Sequence, residues 1–294
     1  MRRRTRGIGT LATMPSTFVV VPEWQGSGSS RAMRLIDGAE AIRGDLPSGS
    51  TVSVEVPLGA GESVGSGVHR YSSLAVVRER LAEALRHVPE ADVPIVIGGD
   101  CGVELAAVEH AAAGARRRDA RLGTIWFDAH PDLNTPATSP SGAFSGMVLR
   151  ALLGEGTDGL VSDPPLDPAA VVLAGTRCLD DGEAEYLAQS RIVRVDADAV
   201  GSGLGAVLDP LGFDEVYLHV DLDVLDPAEF GGVPDPQPFG VTTADLTAAI
   251  GAALAGRRLA GAAITMFAPP SPEAAGEDLA PILRILSALT AGTR

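Results

Sequence analysis

The chain has 294 residues, 45% of them hydrophobic, with 23 basic against 38 acidic side chains and a formal net charge of -15. That length and apolar content suit one α/β domain with a large core. The acidic balance argues against a nucleic-acid partner and against adhesion to an anionic membrane; it is compatible with a cationic substrate, although acidity of this size is also an ordinary route to solubility.

Taken in chain order, the first residues, Met1-Arg-Arg-Arg-Thr-Arg6, superficially resemble the charged start of a secretion signal. Gly7 to Thr17 is too polar and glycine-rich to supply the apolar segment that must follow. Residues 1–14 therefore read as a disordered tail, or as sequence ahead of a true start at Met14, and 15–294 as a single domain. Strand-like runs follow at Thr17–Val21 and Ser50–Val56, then a helical stretch at Ser72–His87. Strand Ile95–Ile97 leads to helix Gly102–Arg118, strand Thr124–Phe127 to helix Ser145–Leu153, and strand Val171–Ala174 to helix Gly182–Ser190. Strands Ile192–Val195 and Val216–Val220, helix Thr243–Ala255, strand Gly261–Met266 and helix Pro281–Leu289 complete the chain. Most strand runs are unbroken and apolar, as expected of strands buried on both faces. The alternation predicts one parallel sheet covered on both sides by helices. The Gly/Pro-rich stretch from Phe230 to Gly240 reads as a long functional loop. Two cysteines, Cys101 and Cys178, make no disulfide scaffold, and no apolar run approaches the ~20 residues that span a bilayer; a reduced, cytoplasmic setting fits.

Three short runs carry the chemistry: Gly98-Gly-Asp-Cys101, Asp128-Ala-His130-Pro-Asp132 and Asp221-Leu-Asp223. The last two follow the β-branched runs Thr124-Ile-Trp-Phe and Val216-Tyr-Leu-His-Val220. Residues i and i+2 of a strand share a face, so Asp128 pairs with His130 and Asp221 with Asp223. Open sheets of this kind bind ligands beyond the carboxyl ends of their strands, where all three runs fall. Acids gathered there are costly unless a cation neutralises them, which points to a two-metal site.

On these runs, in this order, the chain resembles the arginase (ureohydrolase) family over nearly its whole length. The match includes Asp128-Ala-His-Pro-Asp-Leu-Asn134-Thr-Pro136 and Asp221-Leu-Asp-Val-Leu-Asp-Pro227. The resemblance implies a three-layer α/β/α fold with a single parallel sheet of about eight strands. It implies two manganese ions (Mn2+) per subunit that share a hydroxide, held by Asp128, His130, Asp132, Asp221 and Asp223, with Cys101 where a histidine usually stands. Asp132 and the position of Ser145 fall among the residues that would act in catalysis. The substrate would be a small amino-acid-like molecule bearing a guanidino or amidino group, and the protein a homo-oligomer, a trimer or hexamer in relatives.

Three positions depart from the family pattern. A thiolate at Cys101 is softer than imidazole and better suited to zinc or a redox role than to manganese; a cysteine here is similar to the branch that hydrolyses Nω-hydroxyarginine. The family's Ser-Gly-Asn-Leu-His-Gly loop is matched by Ser141-Gly-Ala-Phe-Ser145-Gly146, so the proton-shuttling histidine is Ser145, which does not titrate near neutral pH. The family's Glu-Val-Asn-Pro is matched by Met266-Phe-Ala-Pro269, which puts Met266 in place of the glutamate that meets the guanidinium. That exchange removes a charge-assisted contact of roughly 1.5 to 3 kcal/mol. Glu273 and Glu277 lie close behind, as substitutes or as acids at the start of the last helix.

The amino-acid end of the pocket is better kept. The resemblance places α-carboxylate contacts on Asn134, Ser139 and Ser141, with Ala143 lacking an amide. It carries Asp180 and Glu183, within Gly175-Thr-Arg-Cys-Leu-Asp180-Asp-Gly-Glu183, to the α-amino end. Turn or helix capping is the ordinary role of each residue alone. His69, His87 and His110 read as packing or surface residues; His219, two before Asp221, reads as packing or as a residue just behind the metals. The expected function is a metal-dependent hydrolase of a C–N bond in an amino-acid-like amidine whose distal group is less basic than plain guanidinium. The alternatives are a catalytically inert relative that binds metal or ligand, and an enzyme acting on arginine within a peptide, which the free-amino-acid contacts disfavour.

Overall fold

The computed structural model describes residues 15–291. The arginine-rich start and the reading of Met14 as a start lie outside the described residues. The strands are β1 (Ser16–Val21), β2 (Thr51–Ser53), β3 (Val93–Gly98), β4 (Leu122–Phe127), β5 (Val171–Ala174), β6 (Val193–Val195), β7 (Glu215–Asp221) and β8 (Arg258–Thr265). They form one parallel sheet in the order β2-β1-β3-β8-β7-β4-β5-β6. The helices are α1 (Arg34–Gly44), α2 (Tyr71–Arg86), α3 (Glu104–Arg117), α4 (Val148–Leu152), α5 (Asp181–Gln189), α6 (Val200–Leu208), α7 (Thr243–Leu254) and α8 (Ala275–Ala291).

Strand alternation divides the core in two. Phe18 and Val20 of β1, Ile125 and Phe127 of β4 and Leu218 and Val220 of β7 face α1, α6, α7 and α8. Val19, Val21, Trp126 and Tyr217 face the layer of α2, α3 and α4, with α5 at its edge. This is the three-layer α/β/α architecture. Burial of each such side chain contributes about 1.5 to 3 kcal/mol, which is why parallel strands buried on both faces tolerate so few polar residues.

All eight predicted strand runs are strands, with ends moved by a few residues; the longest trim is Ser50–Val56, which keeps Thr51–Ser53 at the sheet edge. The stretch Ser145–Leu153 divides into a 3-10 turn, Ser145–Met147, and the short α4. Helix α8 begins at Ala275, ahead of the expected Pro281, which lies inside it. Helices α1 and α6 escape the sequence reading because both contain glycines, poor helix formers. Their buried stripes, Leu35–Ala39–Ile42 and Val200–Leu204–Leu208, repeat at helical spacing and override that propensity.

Four adjacent central strands, β3, β8, β7 and β4, end together. Register sets Trp126 beside His219, Phe127 beside Val220 and Asp221 beside Thr265. The chain leaving β3 passes so near β1 that a Cβ at Gly99 would lie 1.7 Å from the Glu23 carbonyl oxygen, so only glycine fits.

Candidate metal centre and active site

Cys101, Asp128 with His130, and Asp221 with Asp223 leave the ends of β3, β4 and β7 and meet over the sheet. Asp128 Oδ1 accepts from the His130 backbone N–H at 2.6 Å, and its Oδ2 from the Trp126 indole at 3.2 Å. His130 Nδ1 lies 2.9 Å from Asp223 Oδ2, while Asp223 Oδ1 accepts from the Ala129 N–H at 3.0 Å. Asp221 accepts from the Asp223 N–H at 2.8 Å and from the Cys101 thiol at 3.2 Å.

Two sets of potential ligand atoms result, each within 4.8 Å of one another: Cys101, Asp128, Asp132 and His219, and Asp128, His130 and Asp223. Asp128 belongs to both. Asp221 belongs to neither tight set and joins them through Cys101 and Asp223. Asp132 stands at a left-handed backbone position, φ 53°, and its buried Oδ2 has no hydrogen-bond partner among the described residues. An orphaned carboxylate oxygen among other buried acids is stabilised by a cation and by little else.

The electrostatics agree. Burial, then repulsion from Asp128, pushes Asp132 and Asp223 up from the usual carboxylate range. Burial, then Asp223 and Asp128, does the same to Asp221. Burial also opposes the charge on Asp128, but bonds with His130 and His219 outweigh it and hold that carboxyl low. His130 is raised: burial opposes its charge, and Asp128 and Asp223 prevail. The Cys101 thiol is pushed up by burial and by Asp221. Acids that cannot all ionise together, with imidazole and thiol donors beside them, fit divalent metal ions.

A cavity of about 440 Å³ opens above this floor, lined by His130, Asp132, Asp221 and Asp223 below and by Asn134, Ser139, Ser141, Asp180 and Glu183 toward the rim. Asn134 Nδ2 donates to Asp180 Oδ2 at 2.8 Å. Ser139 Oγ accepts from the Gly142 N–H and Ser141 Oγ from the Ala143 N–H, at 3.0 and 3.2 Å. Glu183 lines the cavity with both oxygens engaged, by the N–H groups of Leu133 and Asp180, each at 2.9 Å. It therefore holds the Asn134 and Asp180 loops together and forms a capping box with Asp180 at the start of α5. Ser145 and Met266 also line the wall, as does Cys178. Met266 has φ 65°, a strained position for an unbranched side chain, held by its N–H to the Gly99 carbonyl at 2.7 Å. Neither Glu273 nor Glu277 lines the cavity; Glu277 lies in the first turn of α8, where an acid complements the helix end.

Other contacts around the floor emerge only from the fold. Arg177 donates to the carbonyls of Asp223, Gln237 and Pro238 at 2.8, 2.9 and 3.0 Å, tying the Phe230–Gly240 loop to the floor. From that loop Asp235 comes within 3.8 Å of His130 Nε2. Beneath the floor, wholly buried Glu104 accepts from Tyr217 OH at 2.6 Å and lies 2.6 Å from His219 Nδ1. His219 Nε2 is 3.4 Å from Asp128 Oδ2, and its ring stacks on Trp126 at 3.8 Å. Burial disfavours positive charge on His219, yet with no metal ion beside it Glu104 and Asp128 draw its pKa up to about 10. Glu104, three residues after Cys101 at the head of an alanine-rich run, was the available sequence signal for this group.

A model of the Arginase family matches residues 31–283. The chain is 34% identical over 204 residues to an arginase of Bacillus caldovelox, covering 64% of this chain and 67% of that one. It is 36% identical over 182 residues to an arginase of Bacillus subtilis, covering 58% and 60%. The matched stretches thus span about two thirds or less of these relatives' lengths. The structure of an Entamoeba histolytica arginase in complex with L-ornithine shares the fold, with a TM-score of 0.80 over 94% of this chain and 98% of that one, at 23% identity.

Proposed function

Because this chain belongs to the arginase family, we propose that it hydrolyses a C–N bond in the amidino or guanidino group of a small amino-acid-like substrate, one less basic than arginine at its distal end. The observation that carries this reading is the pairing, across one cavity, of a buried floor of acids, histidine and thiol with the Asn134–Asp180 rim. Asp128, Asp132, Asp221, Asp223, His130 and Cys101 would hold two divalent ions, with manganese best suited to the oxygen- and imidazole-bearing set of Asp128, His130 and Asp223. Ions bound there supply hydroxide near neutral pH by lowering the pKa of water.

The chain's own residues then determine what is bound and how it is oriented. Asp180, fixed by Asn134, faces an α-ammonium group, and the hydroxyls of Ser139 and Ser141 face an α-carboxylate. Those contacts direct the distal amidine down toward the acids. There the wall offers Ser145 and Met266, neither of which carries charge, so a cationic guanidinium gains no counter-ion from them. A neutral or N-hydroxylated guanidine loses less by that, while the departing alkyl amine, the same for both when urea or hydroxyurea is released, still has to be protonated. Ser145 can hold a water or accept a hydrogen bond, but it cannot shuttle a proton by titrating.

The test is release of urea or hydroxyurea from arginine, Nω-hydroxyarginine, agmatine, guanidinobutyrate and guanidinoacetate by the manganese-loaded protein, with and without chelator. Chelator-sensitive turnover is expected to be fastest on Nω-hydroxyarginine. Arginine as the best substrate would reject the modified-guanidine reading, and silence across the panel would reject the hydrolase. The reading also carries a homo-oligomeric, cytoplasmic protein, checked by its mass in solution and by fractionation.

A further inference from the structure

The proposed reaction leaves a completely buried histidine, glutamate and tyrosine unused directly beneath the acids. We propose that His219 is itself a metal ligand, its Nε2 joining Cys101, Asp128 and Asp132 around one ion while Glu104 fixes the ring from behind; the inference rests on the reading of this floor as a metal centre. Strand alternation turns Tyr217, His219 and Asp221 to one face of β7, so the histidine lies one step below the acid at the strand end. Glu104 Oε1 sits 2.6 Å from Nδ1, and its other oxygen is held by Tyr217 OH at 2.6 Å, so the carboxylate is anchored on both sides. A carboxylate at that distance accepts a hydrogen bond from Nδ1–H, which leaves the lone pair on Nε2. An imidazole buttressed by a carboxylate on its far nitrogen is the usual arrangement of a metal-bound histidine.

The near nitrogen has the matching geometry. Nε2 lies 3.4 Å from Asp128 Oδ2, within the set that includes Cys101 Sγ and an oxygen of Asp132. Charge-assisted hydrogen bonds are shorter, about 2.7 to 2.9 Å. Two donor atoms each about 2.0 to 2.2 Å from one ion stand roughly 3 to 3.5 Å apart. Independently, the buried Oδ2 of Asp132, a member of the same set, has no hydrogen-bond partner among the described residues. The Trp126 ring, stacked at 3.8 Å and 28°, fixes the plane of the imidazole, and its indole N–H steadies Asp128. Thiolate, imidazole and two carboxylates form a softer set than Asp128, His130 and Asp223, so the His219 site prefers zinc or cobalt, and the other accepts manganese.

The test uses the full chain, stripped by chelator and titrated with Co2+, following metal equivalents by elemental analysis and the thiolate-to-cobalt band in the near ultraviolet. The wild type is expected to bind two equivalents and show the band. His219→Gln is expected to lose the band and the ion that gives it, and to keep the second equivalent. Glu104→Gln is expected to keep both equivalents but weaken the band-bearing site by about 10- to 100-fold. If His219 merely positioned Asp128, which both sets share, both sites would weaken together, and that outcome overturns the proposal. So does an unchanged band and affinity in folded His219→Gln. Should that variant fail to fold, unaltered affinity in Glu104→Gln overturns it instead. A wild type that binds two ions without a thiolate band refutes this site alone, and a wild type that binds none refutes the hydrolase reading with it.

Discussion

The two ends of strand β7 each bury an acid, and they treat it in opposite ways. At the amino end Glu215, 4% exposed, accepts from Arg118 through both oxygens at 2.7 Å, with Arg258 at 3.5 Å. The hollow there is the larger of the two, about 600 Å³, and is lined by Arg86, Arg117, Arg118 and Arg258. At the carboxyl end Asp132, also 4% exposed, has an oxygen with no partner and sits among further acids. A buried acid whose cation is built into the chain is structural; one left open is arranged for a cation from outside. Volume alone would select the first hollow, whereas the state of the carboxylates points to the second.

The largest effect expected from that contrast is on metal content. Asp128→Ala removes the acid common to both ligand sets, so both equivalents and all amidine turnover should be lost; full occupancy by elemental analysis would refute the assignment. Asp221→Ala should also abolish metal binding if Asp221 bridges the sites, and retention of both ions would exclude that role. Glu215→Gln should leave metal content intact and instead lower stability to denaturant by about 1 to 3 kcal/mol, since Arg118 is partly exposed and keeps some solvation.

Next comes the wall of the cavity. Replacing Ser145 with His and Met266 with Glu together restores a titrating group and a counter-ion. Arginine hydrolysis should then rise by about 10- to 100-fold, at the low end of what a general acid–base and a charged contact supply. No gain in kcat/KM would mean that the wall differs from an arginine site elsewhere.

Changes with pH come last, and the two ends should oppose each other in the metal-free protein. Burial raises Asp100 to about 6 and, with Asp100 beside it, raises Glu23. Folding then favours their protonated forms, so this contribution is most stabilising below the unfolded carboxylate range and is lost as pH rises toward about 6 for Asp100. The span for Asp100 is on the order of 2 to 3 kcal/mol. His110 at the other end is lowered by burial and by Arg117 and Arg118, so its contribution is present above pH 6.5 and is lost as pH falls below it. Denaturation of Glu23→Gln across pH 4 to 7 should show a shallower acid-side gain than the parent; an identical profile would remove Glu23 from the account.

Much of this was legible in the sequence because it is local. The eight strands are short apolar runs, and Asp128–His130 and Asp221–Asp223 follow two of them. Strand alternation does not itself pair them, because β4 ends at Phe127 and Asp223 lies in the 3-10 turn Leu222–Val224; the turns after the strands bring each pair together. The amphipathic stripes of α2 and α3 are equally plain. Helices α1 and α6 were not legible, since their glycines speak against helix and only burial against the sheet reverses that. Glu183 read as a cap when taken alone and as a substrate contact when taken with its neighbours; its two bonds to backbone N–H groups cap α5 and position the loop beside the cavity.

By itself, the sequence determined the layered sheet, the family and the residues at the strand ends, all of which follow from periodicity and motif within single segments. Only the tertiary structure brought Glu104 of α3 against His219 and Tyr217 of β7, left Asp132 without a partner and bound the Phe230–Gly240 loop to the floor through Arg177. Those relations depend on which strands lie side by side and on what water is excluded from between them. That is a property of the packed chain, because the cost of an unpaired charge exists only once burial has removed the solvent that would otherwise satisfy it.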